Sequence, residues 1–223
     1  MKIYLIIFLI IYTVGLGSNY PNKNLELINL LKPNIGWKLL ETTDDSINIS
    51  TKRLPDCNLS AIKVEKKLQI IPEIFTGIIM DINNYNKFLS NAKSLNTKIL
   101  RRLKNSVIGY QHITIDLPFF DDREYIFQIS DQDKDPSLLC QWMLIEDKSL
   151  FKNENILKEA TYLSFGAGIW QAEELSTSIY KISYSLYMDP GGSIPDFLID
   201  IINRESIVGL FRDVESQALF RMQ

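Results

Sequence analysis

The chain is short of the side chains from which most catalytic and metal centres are built. Among its 223 residues there is one histidine, His112, and there are two cysteines, Cys57 and Cys140. A single imidazole makes no HExxH pair and two distant thiols make no CxxC, so the common zinc motifs are excluded, and no Ser or Cys stands in a nucleophile motif. The glycines of SFGAGIW, residues 164–170, lack the strand, turn and helix setting of a dinucleotide fingerprint. They are expected to flatten or kink a strand instead. No metal or cofactor is expected; export would permit a disulfide between Cys57 and Cys140, but their spacing carries no geometric information, and free, mostly buried thiols are the favoured reading.

An excess of positive charge is also missing. The net charge is −3, and affinity for a phosphate backbone needs clustered Lys and Arg, so no nucleic acid partner is expected. The one basic run, KILRRLK with Lys98, Arg101, Arg102 and Lys104, lies in a strand-like segment. A strand spreads those charges over both faces, which reads as solvated surface. There is no internal repeat and no long Gly, Ser or Pro stretch, so residues 19–223 are expected to form a single domain.

A hydrophobic content of 46% against 23% charged residues suits one globular domain with one sizeable core or one large internal cavity. The opening MKIYLIIFLIIYTVGLGSNY has one Lys, an apolar run from Ile3 to Leu16, then small residues around Gly15, Gly17 and Ser18. That three-part layout predicts a signal peptide over residues 1–18, with an uncleaved membrane anchor as the alternative. The mature chain then begins near Ser18 or Asn19 and is exported, to a periplasm or to the extracellular space.

Periodicity orders the rest. Apolar residues at Leu27, Ile28, Leu30 and Leu31 predict a short helix over Leu25 to Leu31, and three alternating segments follow at Trp37 to Thr43, Ile47 to Leu54 and Ala61 to Ile70. Pro72 opens a helical stretch that Asp81 to Asn84 divides in two. Period two returns at Leu95 to Leu103, Val107 to Asp116, Arg123 to Ser130, Leu138 to Glu146, Thr161 to Glu173 and Ser178 to Met188. After MDPGGSIPDFL a long amphipathic helix runs to the C-terminus. An antiparallel sheet with helices at its ends and a long helix across one face is an α+β arrangement.

Three local patterns, in this order and spacing over residues 35 to 220, carry a resemblance. Trp37 opens the first strand, and IIMDINNYNKF forms a helix-helix stretch ending in an aromatic. LPFFDDREY places a hydrophobic residue and Pro before Arg123 at a strand start, and MDPGGSIPDFLID sets Asp189, Gly192 and Pro195 before the last helix. The chain resembles the START domain, the steroidogenic-acute-regulatory-related lipid transfer module. The resemblance implies a helix-grip fold, a curved antiparallel sheet wrapped around the C-terminal helix. It also implies an internal tunnel for one lipid or sterol-like ligand, transient membrane contact, and action as a monomer.

Strand alternation then proposes the tunnel lining: Tyr125, Phe127 and Ile129; Trp142; Phe165 and Ile169; Tyr184 and Leu186; and Phe197 and Ile201 from the last helix. Apolar alternation looks the same in a filled core, and a slip of one residue reverses every assignment. Tyr110 and His112 share a parity on their strand and are candidates for a hydrogen bond to the ligand, although a lone strand histidine is more often a satisfied polar residue. Where sterol-binding relatives carry an internal Arg, this chain has Ile129. Trp37, Arg123 and Asp189 are expected to be structural, with Arg123 paired to a carboxylate of Asp121, Asp122 or Asp189. Leu117, Phe119 and Phe120, together with Gly191 and Gly192, are the expected gate and membrane contact. Enzymatic action is not expected. The runner-up is a cyclase or hydrolase using Tyr110, His112 and Tyr184, and a third reading is a binding module without transfer activity.

Overall fold

The structure is a computed structural model that describes residues 22–90, 93–115, 120–131, 137–149, 160–192 and 196–222; for Leu138 and residues 196–203 it describes the backbone alone. The expected signal segment and the loop residues Leu117 and Phe119 lie outside the described residues. No helix among the described residues is long and apolar enough to cross a membrane.

The chain runs α1 (Lys23–Leu31), β1 (Lys38–Thr42), β2 (Asn48–Arg53), β3 (Ser60–Leu68), α2 (Pro72–Ile79) and α3 (Tyr85–Phe88), with one 3-10 turn between the last two helices. It continues as β4 (Leu95–Arg102), β5 (Ser106–Ile113), β6 (Arg123–Asp131), β7 (Leu138–Leu144), β8 (Thr161–Tyr162), β9 (Gly166–Ser176), β10 (Ile179–Met188) and α4 (Asp196–Arg221). The segment expected as one strand from Thr161 is two. β8 pairs parallel with β6, and β9 starts only at Gly166. The other nine strands follow the order β1-β2-β3-β10-β9-β7-β6-β5-β4, every neighbouring pair antiparallel, and the sheet curves around α4.

Both faces of the middle of this sheet are covered. On the concave side Val64, Ile129, Leu144, Trp170 and Ile182 meet Phe75 and Ile78 of α2 and Ile207, Phe211 and Val214 of α4. On the convex side Leu27, Ile28 and Leu31 of α1 pack on Ala61, Ala167, Ile169 and Tyr187. One polar residue fixes α1 in place. Asn24, 0% exposed, donates from Nδ2 to the carbonyls of Leu144 and Ser164, both at 2.9 Å, and accepts the Gly166 N–H at 2.9 Å. Trp37 belongs to the same convex cluster, with the Lys52 and Lys63 ammonium groups over its ring and its indole N–H donated to the Pro33 carbonyl.

Gly168 of SFGAGIW and Gly109 of β5 leave room for neighbouring rings. A Cβ on Gly168 would lie 2.5 Å from Trp142 Nε1, and one on Gly109 would lie 2.6 Å from the Phe127 ring. Each glycine is the cross-strand partner of the aromatic that covers it. Their missing side chains let two large rings lie flat over neighbouring strands on the concave face. The two cysteines sit on opposite faces, Cys57 against the convex cluster and Cys140 in the concave core, and both are free.

Two outcomes follow. Asn24→Ala removes three hydrogen bonds under α1, to the carbonyls of Leu144 and Ser164 and from the Gly166 N–H, and should lower unfolding free energy by at least about 3 kcal/mol in denaturant titration, since each buried orphan costs on the order of 1–3 kcal/mol. Gly168→Ala should cost about 1–3 kcal/mol through overpacking, with a changed near-ultraviolet tryptophan signal because the Trp142 indole must move.

Candidate functional site

Between the concave face and the helices lies a cavity of about 480 Å³. Its sheet wall is made by Tyr125, Phe127 and Ile129 of β6, Trp142 of β7, Trp170 of β9, and Tyr184, Leu186 and Met188 of β10. Ile207, Leu210 and Val214 of α4 face them, and Ile79, Tyr85 and Phe88 close a third side. The exposed Thr114 and Ser206 mark where it reaches the surface. Its size and apolar lining with a few polar tips are those of a small-molecule site.

Of the residues expected to line it, Tyr125, Phe127, Ile129, Trp142, Tyr184 and Leu186 do so. Phe197 and Ile201 lie on α4 where only backbone is described. Four assignments are corrected. Phe165 and Ile169 point to the convex face and pack under α1, while Trp170 takes the concave position on β9. Tyr110 and His112 are also convex: Tyr110 clusters with Ile126 and donates to Glu124 at 3.1 Å, and His112 Nε2 lies 3.2 Å from Asp122 Oδ2. The inward residues of β5 are Gln111 and Ile113. The cause is the same in both strands. Covered on both faces, they carry apolar residues at both parities, so alternation loses its direction.

Polar groups on the wall are mostly engaged with one another. Thr97, Gln111 and Tyr125 are cross-strand neighbours on β4, β5 and β6. The Tyr125 hydroxyl donates to Gln111 Oε1, and Gln111 Nε2 donates to Thr97 Oγ1 at 3.1 Å. Tyr85 donates its hydroxyl to the Ile79 carbonyl at 2.5 Å. The Trp142 indole N–H reaches across β9, over Gly168, to the Tyr184 hydroxyl at 2.9 Å. Burial pushes the phenols of Tyr85, Tyr125 and Tyr184 and the thiol of Cys140 far above their ordinary ionisation range. They stay neutral at any physiological pH and offer hydrogen bonds, not a base or a nucleophile.

Arg123 lines the cavity and is 5% exposed, but the carboxylate expected beside it is replaced by carbonyls. Nε donates to Pro190 O at 2.7 Å, Nη2 to Gly191 O at 3.3 Å, and Nη1 to the carbonyls of Asp121 and Asp122. One guanidinium thus ties the strand start to the turn before α4. That turn needs its glycines, with φ of +60° at Gly191 and +72° at Gly192, and the Asp189 carboxylate caps it by accepting the Gly191 N–H at 2.9 Å. Phe120, the one described aromatic of the expected gate, is half-buried and stands outside the cavity lining.

The constellation assigned to a cyclase or hydrolase is not assembled, since Tyr110 and His112 face away from the cavity that Tyr184 lines. Among the described residues no cluster of His, Cys, Asp and Glu could hold a metal ion. Trp170, Gln111 and the α4 stripe Ile207, Leu210 and Val214 were missed as lining. The α4 residues were visible as an amphipathic pattern, whereas nothing in the local sequence separates Trp170 from Ile169.

No protein-family model and no curated protein matches the chain. Solved structures do. Human StAR-related lipid transfer protein 5 superposes with a TM-score of 0.68 at 10% identity, over 89% of this chain and 94% of that one. The STAR-related lipid transfer protein of Xanthomonas axonopodis gives 0.66 at 15% identity, over 82% and 98%. The Zhui aromatase/cyclase from Streptomyces sp. R1128 gives 0.53 at 9% identity, over 73% and 95%. With the sheet curved around α4 and the cavity between them, the chain has the START-like helix-grip fold.

Proposed function

We propose that the protein binds one hydrophobic ligand in the cavity under α4 and carries it between membranes. The observation that supports this reading most is the cavity itself, about 480 Å³ bounded by aromatic and aliphatic side chains in a fold shared with lipid transfer proteins. Each buried ligand methylene gains about 0.8 kcal/mol, so a single chain or a small ring system is held firmly by apolar contact. The same figure opposes release into water. Exchange therefore takes place while the protein touches a bilayer, with the loop around Phe120 and the turn at Gly191 and Gly192 opening together, since Arg123 bonds the backbone on both sides. The protein acts as a monomer.

Organic extraction of the purified protein is expected to yield a lipid in near-stoichiometric amount, and the protein should speed movement of that lipid between donor and acceptor vesicles. Leu186→Trp fills the wall of the cavity and should reduce both by at least about tenfold while preserving the melting transition. Extraction that yields nothing, with no acceleration between vesicles, overturns the reading.

The first residues are proposed to direct export. Sequencing the N-terminus of the exported protein should find it starting near Ser18 or Asn19, and a chain that keeps Met1 at its N-terminus contradicts cleavage.

A further inference from the structure

Among the described aromatic hydroxyls of the cavity wall, Tyr184 keeps a donor that Tyr85 and Tyr125 have spent. Arg123 gives its guanidinium to four backbone carbonyls, Tyr85 donates to Ile79, and Tyr125 and Gln111 form a chain ending at Thr97. Tyr184 is different. Its oxygen accepts the Trp142 N–H at 2.9 Å, and no described oxygen accepts its own proton. The residue is 3% exposed and is part of the cavity lining. A phenol that accepts one hydrogen bond becomes a better donor in the next, because the bonds polarise one another in a low-dielectric setting.

The group is also held in position. The Tyr184 ring stacks on Trp170 with centroids 4.2 Å apart and planes within 9°, and Trp170 stacks in turn on Phe211 of α4. The Trp142 bond fixes the oxygen from the other side, through the gap left by Gly168. A donor pre-placed in an apolar wall is what orients a ligand that brings one acceptor.

Charge and size narrow the class. The cation on the lining, Arg123, directs its N–H groups to backbone carbonyls of the strand start and of the turn before α4, so a carboxylate or phosphate could bond it only by displacing them. A cavity of about 480 Å³ lies in the lower part of the range of small-molecule pockets, which suits one aliphatic chain or a few fused rings.

Resting on the reading of the cavity as a ligand site, we infer that the ligand is a compact neutral lipid whose single carbonyl oxygen accepts the Tyr184 hydroxyl proton, with Trp142 as the positioning residue. The Tyr125 oxygen, already donating to Gln111, stands on the same wall as a second polar contact.

The test uses 2-pentadecanone, pentadecane and pentadecanoate, matched in length, against the full mature chain and its Tyr184→Phe variant, which keeps the ring stack. The ketone is expected to bind the native protein about tenfold more tightly than the alkane, the worth of one buried hydrogen bond, and more tightly than the carboxylate. In Tyr184→Phe the ketone should fall to the alkane's affinity while the alkane is unchanged. The infrared carbonyl stretch of bound ketone should be lowered in the native protein relative to its value in heptane, and that shift should vanish in the variant. Equal binding of ketone and alkane with a neutral variant overturns this inference and leaves the cavity reading intact. Preference for the carboxylate overturns it too, in favour of an anion at Arg123. Failure of all three probes to bind removes both readings.

Discussion

The indole of Trp170 is the contact on which the rest of the molecule depends. It is 2% exposed, stacked on Tyr184 of the neighbouring strand and on Phe211 of α4, and it tilts against Phe75 of α2 at 6.3 Å. One side chain thus joins the centre of the sheet to both helices that close it. Truncating a fully buried aromatic typically costs about 3–5 kcal/mol, and here the loss would be shared by three elements at once. By contrast, the bonds that hold the solvent side of α4 are exposed ones: the paired contacts of Arg212 with Asp45 at 2.8 and 2.9 Å, Arg204 with Glu41, and Arg221 with Asp81 at 3.0 Å. The Arg212 guanidinium holds the Asp45 carboxyl well below its ordinary range. Such exposed pairs are each worth about 0–1 kcal/mol, so they set where the helix lies more than how firmly. Among the described ion pairs of α4, Lys66–Glu215 at 2.7 Å is part-buried and lies closer to the core.

The same helix serves the core and the cavity. Along α4, Ile207, Phe211, Val214 and Ala218 pack in the concave core, and Ile207, Leu210 and Val214 also border the cavity. Arg123 bonds the backbone of both the start of β6 and the turn before α4, and its partners are carbonyls, so the link does not depend on the protonation of any acid.

Much of the fold was legible because the elements at its edges obey simple periods. Every expected helix and nearly every expected strand is present, and Arg123, Asp189 and Gly192 hold the turns that their positions in DDREY and MDPGG imply. Inward faces were read correctly on β6, β7 and β10 and reversed on β5 and β9. On β9 the residues Ala167, Ile169 and Tyr187's neighbours serve a second core under α1, so two apolar parities compete and no local pattern says which one meets α4. Pairing of Arg123 was misjudged for a related reason. A buried cation asks for oxygen, and sequence alone does not say whether carboxylates or turn carbonyls will stand nearest.

By itself the sequence determined the element order, the lack of metal and nucleophile motifs, and the aromatic-rich strands that can wall a cavity, since these follow from composition and from periods of 2 and 3.6 residues. Only the tertiary structure decided which face of β5 and β9 looks inward, that Gly109 and Gly168 exist to admit the rings of Phe127 and Trp142, and that Tyr184 keeps an unpaired donor on the cavity wall. Those facts arise between strands far apart in the chain. They depend on register and on which helix covers which face, and a one-dimensional pattern carries neither.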